Sequence, residues 1–301
     1  MRQGEGKGRG LRQGDGSPVA RDLARQENRP LVAVPSPSPC RTLENGEWSE
    51  PMRKPLIVAN WKMYKTVGEA LDFVKEFLPM VAGVEEIDIA VCPPFTALPA
   101  LCMEFKSSTL KLGAQNVCWE DQGAYTGEIS PAMLLDLDCQ YVIIGHSERR
   151  NIMGESDQLI NRKLKAVSLT GLTPIFCVGE TLQEREQGRA REVVLQQLEE
   201  GLLEIPAGKL IVAYEPVWAI GTGVNASPAD AREMTGFIRE FLAILYDKTW
   251  AETVLILYGG SVKPDNIGHF MAEKDVDGAL VGGASLNAVD FARIVRFNAN
   301  V

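Results

Sequence analysis

Four polar side chains in this sequence are of types that together could move protons on a small substrate. Glu215 directly follows the apolar run Leu210–Tyr214. His146 follows a glycine at the end of a second apolar run, and Asn60 and Lys62 stand at the end of a third. A carboxylate can act as a general base, an imidazole can pass protons between oxygens, and an ammonium can stabilise an oxyanion. The set suits proton abstraction beside a carbonyl.

Each of these residues also has an ordinary structural interpretation. An isolated strand-end glutamate is commonly a solvated acid, a lone histidine is more often structural than catalytic, and lysine is commonly a surface charge. The position of His146 favours a functional role, because a following helical turn would disfavour the imidazolium and keep the ring neutral. The segment after Glu215 is apolar at Val217, Trp218 and Ile220, which a mere connection would not need. We expect an exposed Trp218 in a loop that closes over a ligand.

Two glycine pairs near the end of the chain indicate an anion site. Gly259 and Gly260 precede Ser261, and Gly282 and Gly283 precede Ala284 and Ser285, each pair after a short apolar run. Glycine lets backbone N–H groups approach an anion closely, and a helix N-terminus adds favourable potential. The formal net charge of −9 argues against nucleic-acid binding. An anionic ligand must therefore be held by such local groups.

Composition restricts the class of protein further. The 301 residues are 45% hydrophobic and 24% charged, as in globular proteins, and no apolar run is long enough to span a membrane. The six cysteines form no C-x-x-C pair, so we expect neither zinc nor another metal. Scattered, unpaired cysteines indicate a reduced, cytoplasmic location.

Residues 1–52 differ from the rest of the chain. They are rich in Gly, Arg, Gln, Pro and Ser and have no sustained apolar periodicity, so we expect a disordered extension. An organelle transit peptide is an alternative, although Glu5, Asp15, Asp22 and Glu27 count against it. An expression leader or a wrongly assigned start is another.

From Lys54 onward, short apolar runs alternate with amphipathic stretches. Eight strands are predicted, at 56–60, 87–92, 110–115, 141–145, 173–178, 210–215, 253–258 and 278–281. The clearest helices are predicted at 68–78, 157–169, 189–203, 228–246 and 288–297. Eight such units indicate an α/β fold, a single (β/α)₈ barrel over residues 53–301 whose site lies at the C-terminal ends of the strands. A doubly wound open sheet is the alternative, but it favours a glycine-rich turn after the first strand, where Asn60-Trp61-Lys62 stands instead.

The sequence resembles the triosephosphate isomerase family from about Lys54 to the C-terminus. Seven segments carry the resemblance: 59–62 (ANWK), 113–116 (GAQN), 123–128 (GAYTGE), 145–150 (GHSERR), 213–223 (AYEPVWAIGTG), 258–261 (YGGS) and 282–284 (GGA). The resemblance implies a TIM barrel that interconverts dihydroxyacetone phosphate and D-glyceraldehyde 3-phosphate without a cofactor. This family is a well-known example of a glutamate base, a neutral imidazole and a closing loop acting together, so the resemblance itself supplies these roles.

The resemblance also implies a role for each site residue. Glu215 would move the proton between the two carbons, neutral His146 would move protons between the two oxygens, Lys62 would supply positive charge, and Asn60 would position the substrate. Glu148 would belong to the adjoining polar network and Cys177 to the layer beneath. The phosphate would rest on backbone N–H groups of Gly221, Ser261 and Gly283, with Gly282 beside them.

Three further expectations concern the loops. The lid would comprise Pro216, Val217, Trp218, Ala219, Ile220, Gly221, Thr222 and Gly223, latched by Tyr258 and Ser261. Its far hinge is Val224-Asn225-Ala226, where family members often have Lys-Thr-Ala, a difference that bears on lid kinetics. The segment 122–128, with Thr126 at its tip, resembles the family's loop that inserts into a second subunit. The implied assembly is a homodimer, and some members form tetramers.

Other functions fit these residues less well. A related phosphosugar aldolase would want a Schiff-base lysine on a central strand, and an epimerase commonly a metal or paired acids. Loss of one of Asn60, Lys62, His146 and Glu215 would have supported a binding or adhesion protein that kept the barrel without the activity. All four are present.

Overall fold

Eight parallel strands form a closed barrel in chain order, and the first strand pairs with the last. The computed structural model describes residues 53–220 and 226–300, without the side chains of the last two. The strands are β1 (Leu56–Asn60), β2 (Asp88–Cys92), β3 (Lys111–Ala114), β4 (Cys139–Ile144), β5 (Thr173–Val178), β6 (Ile211–Tyr214), β7 (Leu255–Tyr258) and β8 (Gly278–Val281).

Helices connect successive strands. Within the described ranges they are α1 (Val67–Met80), α2 (Leu98–Phe105), α3 (Pro131–Asp136), α4 (Ser147–Asn151), α5 (Asp157–Ser168), α6 (Leu182–Glu186), α7 (Ala190–Gly201), α8 (Pro228–Leu245), α9 (Lys248–Ala251), α10 (Ile267–Met271) and α11 (Ala288–Val295). Side-chain caps fix several of the helix starts. The N-cap residues Thr66, Thr181 and Ser227 each form a capping box with the acidic residue three positions on.

The strand period of two divides the core into two layers. Side chains such as Val58 and Ala213 belong to a cluster that fills the barrel, whereas Ile57 and Val212 belong to the larger cluster shared with the helices. Successive strand residues point to opposite faces, so the residue two beyond Val58 or Ala213 also points inward. For Ala213 that residue is Glu215.

The predicted architecture is confirmed. All eight predicted strands are present, with ends that differ by at most two residues, and closure between β1 and β8 excludes the open sheet. The five predicted helices correspond to α1, α5, α7, α8 and α11, whereas the other helices of the described ranges were not predicted. The expected disorder of residues 1–52 lies outside the described residues.

A buried ion-pair cluster lies at the N-terminal end of the strands. Arg239 of α8 donates to Asp275 at 2.7 Å and to Asp277 at 2.6 Å, and it also bonds the carbonyl oxygens of Ala251 and Val254. Arg53 reaches the same Asp277 at 2.5 Å. This cluster joins the start of β1 to the segment before β8.

No helix among the described residues has the length and apolar character needed to cross a membrane. Over the same ranges, no group of three or more His, Cys, Asp or Glu side chains could hold a metal ion.

Candidate active site

The carboxyl ends of the strands surround a cavity of about 710 Å³. The residues that line it include members of five strand ends: Asn60, Lys62, His146, Glu215, Gly259, Gly260, Ser261, Gly282 and Gly283. The structure therefore brings together the four polar residues and both glycine pairs that the sequence singled out.

Glu215 is almost completely buried at the base of this cavity. Its Oε1 lies 3.0 Å from Nε2 of His146, and its Oε2 accepts a hydrogen bond of 2.9 Å from the backbone N–H of Ser147. Burial raises the pKa of the carboxyl, but His146, the Ser147 N–H and Lys62 outweigh it and leave the pKa below its usual value. Glu215 is therefore held as a carboxylate, the form that a general base requires.

His146 caps the N-terminus of α4, as the sequence suggested. Its Nδ1 accepts a hydrogen bond of 3.2 Å from the backbone N–H of Glu148. A ring that accepts at Nδ1 carries its proton on Nε2, the atom that faces Glu215. This geometry accommodates the neutral ring.

The charge environment of His146 is more complex than a helix end alone. Burial lowers the pKa of the imidazole, but the Glu215 carboxylate raises it, and the net pKa lies above its usual value. The sequence-based expectation considered only the helix terminus, which acts in the opposite direction to this carboxylate. Neutral His146 stays a prediction that depends on where Glu215 points.

Lys62 reaches the cavity from the loop after β1. Its backbone has a positive φ of 52°, and its N–H bonds the Asn60 side-chain oxygen at 3.0 Å. Its Nζ lies 2.7 Å from Oε1 of Glu148, and Gln115 bonds its carbonyl oxygen at 2.8 Å. These contacts hold an ammonium at the side of the cavity that His146 also lines.

The glycine turns after β7 and β8 form another part of the cavity wall, next to Glu215 and Lys62. A Cβ at Gly282 would lie 3.3 Å from Cε of Lys62, and one at Gly259 would lie 2.9 Å from Cγ of Glu215. Gly283 starts a 3₁₀ turn, and a Cβ there would meet no atom within 4 Å. The backbone therefore approaches the cavity closely, with open space in front of Gly283.

The first part of the predicted lid lies among the described residues, and the prediction of an exposed Trp218 is wrong. Trp218 is buried and its Nε1 donates to Oε1 of Glu180 at 2.8 Å. Arg185 stacks on the same ring at 4.4 Å, and Tyr214 donates to Glu180 at 3.1 Å. The start of the loop is thus anchored by Glu180, which stands just after β5.

The described residues do not include the rest of the predicted lid and the start of its hinge, which are Gly221, Thr222, Gly223, Val224 and Asn225.

The predicted latch residues occupy different environments. The phenol oxygen of Tyr258 is buried without a hydrogen-bond partner among the described residues. It packs on Gly260, where an added Cβ would lie 2.2 Å from it. Ser261 is half-buried at the cavity, and its carbonyl oxygen accepts from Asn266 at 3.0 Å. A buried phenol oxygen without a partner is rare, and it leaves a hydrogen bond available.

The remaining predicted residues are placed as follows. Cys177 is buried inside the barrel. Burial is the main cause that raises the pKa of its thiol well above the usual value, and the nearby Glu215 carboxylate raises it further. Thr126 lies in an exposed loop, 121–128. Glu148 is partly exposed beside Lys62.

Sequence reasoning did not find Glu180, Gln115 or the Ser147 N–H as parts of the site. Glu180 could have been found, because it stands two residues beyond β5 in the same way that polar residues follow β1 and β6. The Ser147 N–H could not have been found, because it is a backbone group that any residue except proline would supply.

Comparison with known proteins bears on the identity of this site. A family model described as triosephosphate isomerase matches residues 55–298. The chain is similar to proteins named triosephosphate isomerase from Dictyoglomus thermophilum (52% identical), Chloroflexus aurantiacus (55%) and Carboxydothermus hydrogenoformans (54%). These matches span 81%, 82% and 81% of this chain and 100%, 100% and 99% of the respective relatives. The chain belongs to the triosephosphate isomerase family.

Proposed function

We propose that the protein interconverts dihydroxyacetone phosphate and D-glyceraldehyde 3-phosphate through an enediolate. Glu215 takes the proton from one carbon and returns it to the other. Neutral His146 moves protons between the two oxygens, and the Lys62 ammonium stabilises the negative charge that develops on them. Asn60 orients the substrate, and Glu148 holds Lys62.

One observation carries this proposal above the others. A buried carboxylate, an imidazole at 3.0 Å from it and an ammonium line the same cavity as two glycine turns. Glycine turns with accessible N–H groups suit a phosphate, and the three side chains suit a carbonyl and its neighbouring C–H. The backbone N–H groups of Gly221, Ser261 and Gly283 would bind the phosphate, with Gly282 beside them.

The lid has a defined purpose in this mechanism. An enediolate that is open to water can lose its phosphate, so residues 216–223 would close over the cavity during turnover. Tyr258 and Ser261 would hold the closed lid. Cys177 would support Glu215 from below.

The decisive experiment is conversion of D-glyceraldehyde 3-phosphate by the purified protein in a coupled assay. Glu215→Gln keeps the size of the side chain but removes the base, and should lower kcat about 10²-fold to 10⁴-fold. The control is Glu240→Gln, an exposed acid on α8, which should leave kcat unchanged. Inactivity of well-folded wild type would overturn the proposal and favour a binding protein.

We also propose a homodimer. The exposed apolar side chains include Met63 at 94% and Ile152 at 72%, next to the segments that carry Lys62 and His146. The exposed loop with Thr126 at its predicted tip would insert into the second subunit. Exposed apolar side chains commonly mark an interface when they form a contiguous patch, and Met63 is followed by Tyr64, which is 58% exposed.

Sedimentation velocity of two matched variants tests the assembly. Met63→Asp should shift the protein toward monomer, because a buried, unpaired charge is costly at an interface. Ile244→Asp changes an apolar side chain that is 83% exposed on α8, and should not alter the mass. Monomeric wild type would contradict the dimer, and a mass of four chains would indicate a tetramer.

Residues 53–301 are proposed as the complete isomerase domain of a cytoplasmic enzyme of glycolysis and gluconeogenesis. The relatives named above match over 99% to 100% of their own length with 81% to 82% of this chain, and the family model matches residues 55–298. Deleting residues 2–52 should therefore leave kcat nearly unchanged. A large loss of turnover in folded, shortened protein would contradict this.

A further inference from the structure

We propose that Gln197, on α7, is a positioning residue that fixes the general base through the peptide groups of Gly179. This inference rests on the proposed function. It concerns a side chain that lies outside the cavity and that neither the sequence patterns nor the site geometry above identify.

The backbone around Glu215 is supported by the segment that follows β5. The N–H of Glu215 donates to the carbonyl oxygen of Val178 at 2.8 Å, and the N–H of Val217 donates to that of Glu180 at 3.1 Å. The parallel ladder between β5 and β6 thus continues past both strands, on either side of the base. Gly179 is the middle residue of this support.

The polar groups of Gly179 point away from β6 and are bonded by one side chain. Its N–H donates to Oε1 of Gln197 at 2.7 Å, and its carbonyl oxygen accepts from Nε2 at 3.1 Å. An amide can satisfy both groups at once because it carries a donor and an acceptor. Gln197 therefore supplies the pair of hydrogen bonds that a neighbouring strand would supply inside a sheet.

The helix that carries Gln197 is itself fixed to the barrel. Its residues Val193, Val194 and Leu198 are buried, and the last two belong to the larger hydrophobic cluster that the strands share with the helices. A side chain held between such anchors has little freedom to move. Gln197 can thus transmit the position of α7 to the segment after β5.

Gly179 is in direct contact with the backbone of the base. A Cβ at this position would lie 1.8 Å from the carbonyl oxygen of Glu215 and 2.6 Å from its carbonyl carbon. With no atom between them, a shift of Gly179 shifts Glu215. A cavity of about 110 Å³, lined by Gly179, Gln197 and Glu215 among others, leaves space on this side into which a released segment could move.

The consequence for catalysis follows from the sensitivity of proton transfer to geometry. Misplacing a reacting group by about 1 Å can cost about 10²-fold in rate. Glu215 can take the substrate proton only if its carboxylate lies at the correct distance from the carbon. Loss of the Gln197 amide should therefore reduce kcat more than it weakens substrate binding, because the glycine turns after β7 and β8 hold the phosphate separately.

The test uses the full chain with Gln197→Leu, which keeps the bulk of the side chain and removes both hydrogen bonds. We expect kcat to fall about tenfold, with KM and the inhibition constant of inorganic phosphate changed less than about twofold. Gln197→Glu can still accept from the Gly179 N–H but cannot donate to its carbonyl oxygen. Its kcat should lie between those of wild type and Gln197→Leu.

Gln196→Leu is the matched control, because Gln196 is the neighbouring residue and its side chain forms an exposed bond to Glu200, at 2.8 Å. It should retain wild-type kcat. A second measurement is Gln197→Leu in the Glu215→Asp background, where the carboxylate is already misplaced and the further loss should be smaller than in wild type.

The outcomes separate this inference from the proposed function. Inactive wild type overturns both. Active wild type with unchanged kcat in Gln197→Leu overturns the positioning role, even if the melting temperature falls. If Gln197→Leu does not fold, a wild-type kcat in Gln197→Glu overturns the positioning role instead. Equal losses in Gln197→Leu and Gln196→Leu also contradict the proposal.

Discussion

Nε2 of His146 lies 3.0 Å from Oε1 of Glu215, so the proposed acid and the proposed base share one hydrogen bond. Both side chains are almost fully buried, and after burial itself the partner is the largest influence on the pKa of each group. In the proposed mechanism Glu215 turns toward a substrate carbon, and His146 then loses the carboxylate that favours its imidazolium form. The movement that delivers the base therefore also favours the neutral imidazole.

The coupling predicts a lower pKa for His146 when Glu215 is replaced. Burial lowers the pKa of the ring and the carboxylate raises it, so Glu215→Gln removes the main influence that keeps the imidazolium. Nitrogen-detected NMR titration can follow the ring, because the chain has only two histidines. His269→Asn, an exposed substitution, assigns the signals. Equal pKa values in wild type and Glu215→Gln would refute the coupling.

Lys62→Met should lower kcat/KM about 10²-fold to 10³-fold, the usual cost of removing one group that stabilises an oxyanion. Methionine preserves most of the length of the side chain but no charge, and it leaves Glu148 without its partner at 2.7 Å. The control is Lys54→Met, which breaks a pair of the same length with Asp88 at the start of β2. Steady-state kinetics measures kcat/KM for both variants, and Lys54→Met should retain the wild-type value. A loss of less than about tenfold for Lys62→Met would remove the ammonium from the mechanism.

Tyr258→Phe should affect stability and activity in opposite directions. Its phenol oxygen is buried without a partner among residues 53–220 and 226–300, so removing it should raise the free energy of unfolding by about 1 kcal/mol. The same change removes the predicted latch and should lower kcat while increasing the release of inorganic phosphate from substrate. Calorimetry and a phosphate assay measure the two effects. Lower stability with unchanged phosphate release would contradict both parts.

Arg239→Met should lower the free energy of unfolding by about 3 kcal/mol, because it breaks a buried ion-pair cluster and leaves Asp275 with only a longer contact to Arg53, at 3.9 Å. The guanidinium bonds Asp275 at 2.7 Å and Asp277 at 2.6 Å, and only Arg53 would then remain to pair with Asp277. Arg293→Met is the control, since its pair with Asp265 is exposed and should contribute at most about 1 kcal/mol. Urea unfolding compares them. Similar values for the two variants would show that the cluster does not stabilise the barrel.

The sequence predicted the barrel, and the convergence of the polar residues that line its cavity, for one physical reason. Polar residues such as Asn60 and Glu215 stand where apolar strands end, and a parallel barrel gathers all such ends in one place. The apolar period thus determines both the fold and the convergence of the polar residues. That inference did not require knowing which residues contact each other across the barrel.

What the sequence did not predict depends on contacts between distant segments. Trp218 is buried because Glu180, 38 residues earlier in the chain, accepts its indole N–H. The pKa of His146 depends on a carboxylate from another strand and not on its own helix alone. Gln197 meets Gly179 across a separation of 18 residues, through a polar side chain whose type indicates only a helix surface. Such contacts leave no periodic signal in the sequence.

Pairing of β1 with β8 has a consequence for the nascent chain on the ribosome. Asn60 and Lys62 lie at the end of the first strand to be synthesised, whereas Gly282 and Gly283 follow the last. Until β8 leaves the exit tunnel, the edges of β1 and β7 have no partner, and no anion site can face the lysine. Activity should therefore arise in a single step once β8 has left the tunnel, and a chain truncated before β8 should need a chaperone to cover those edges.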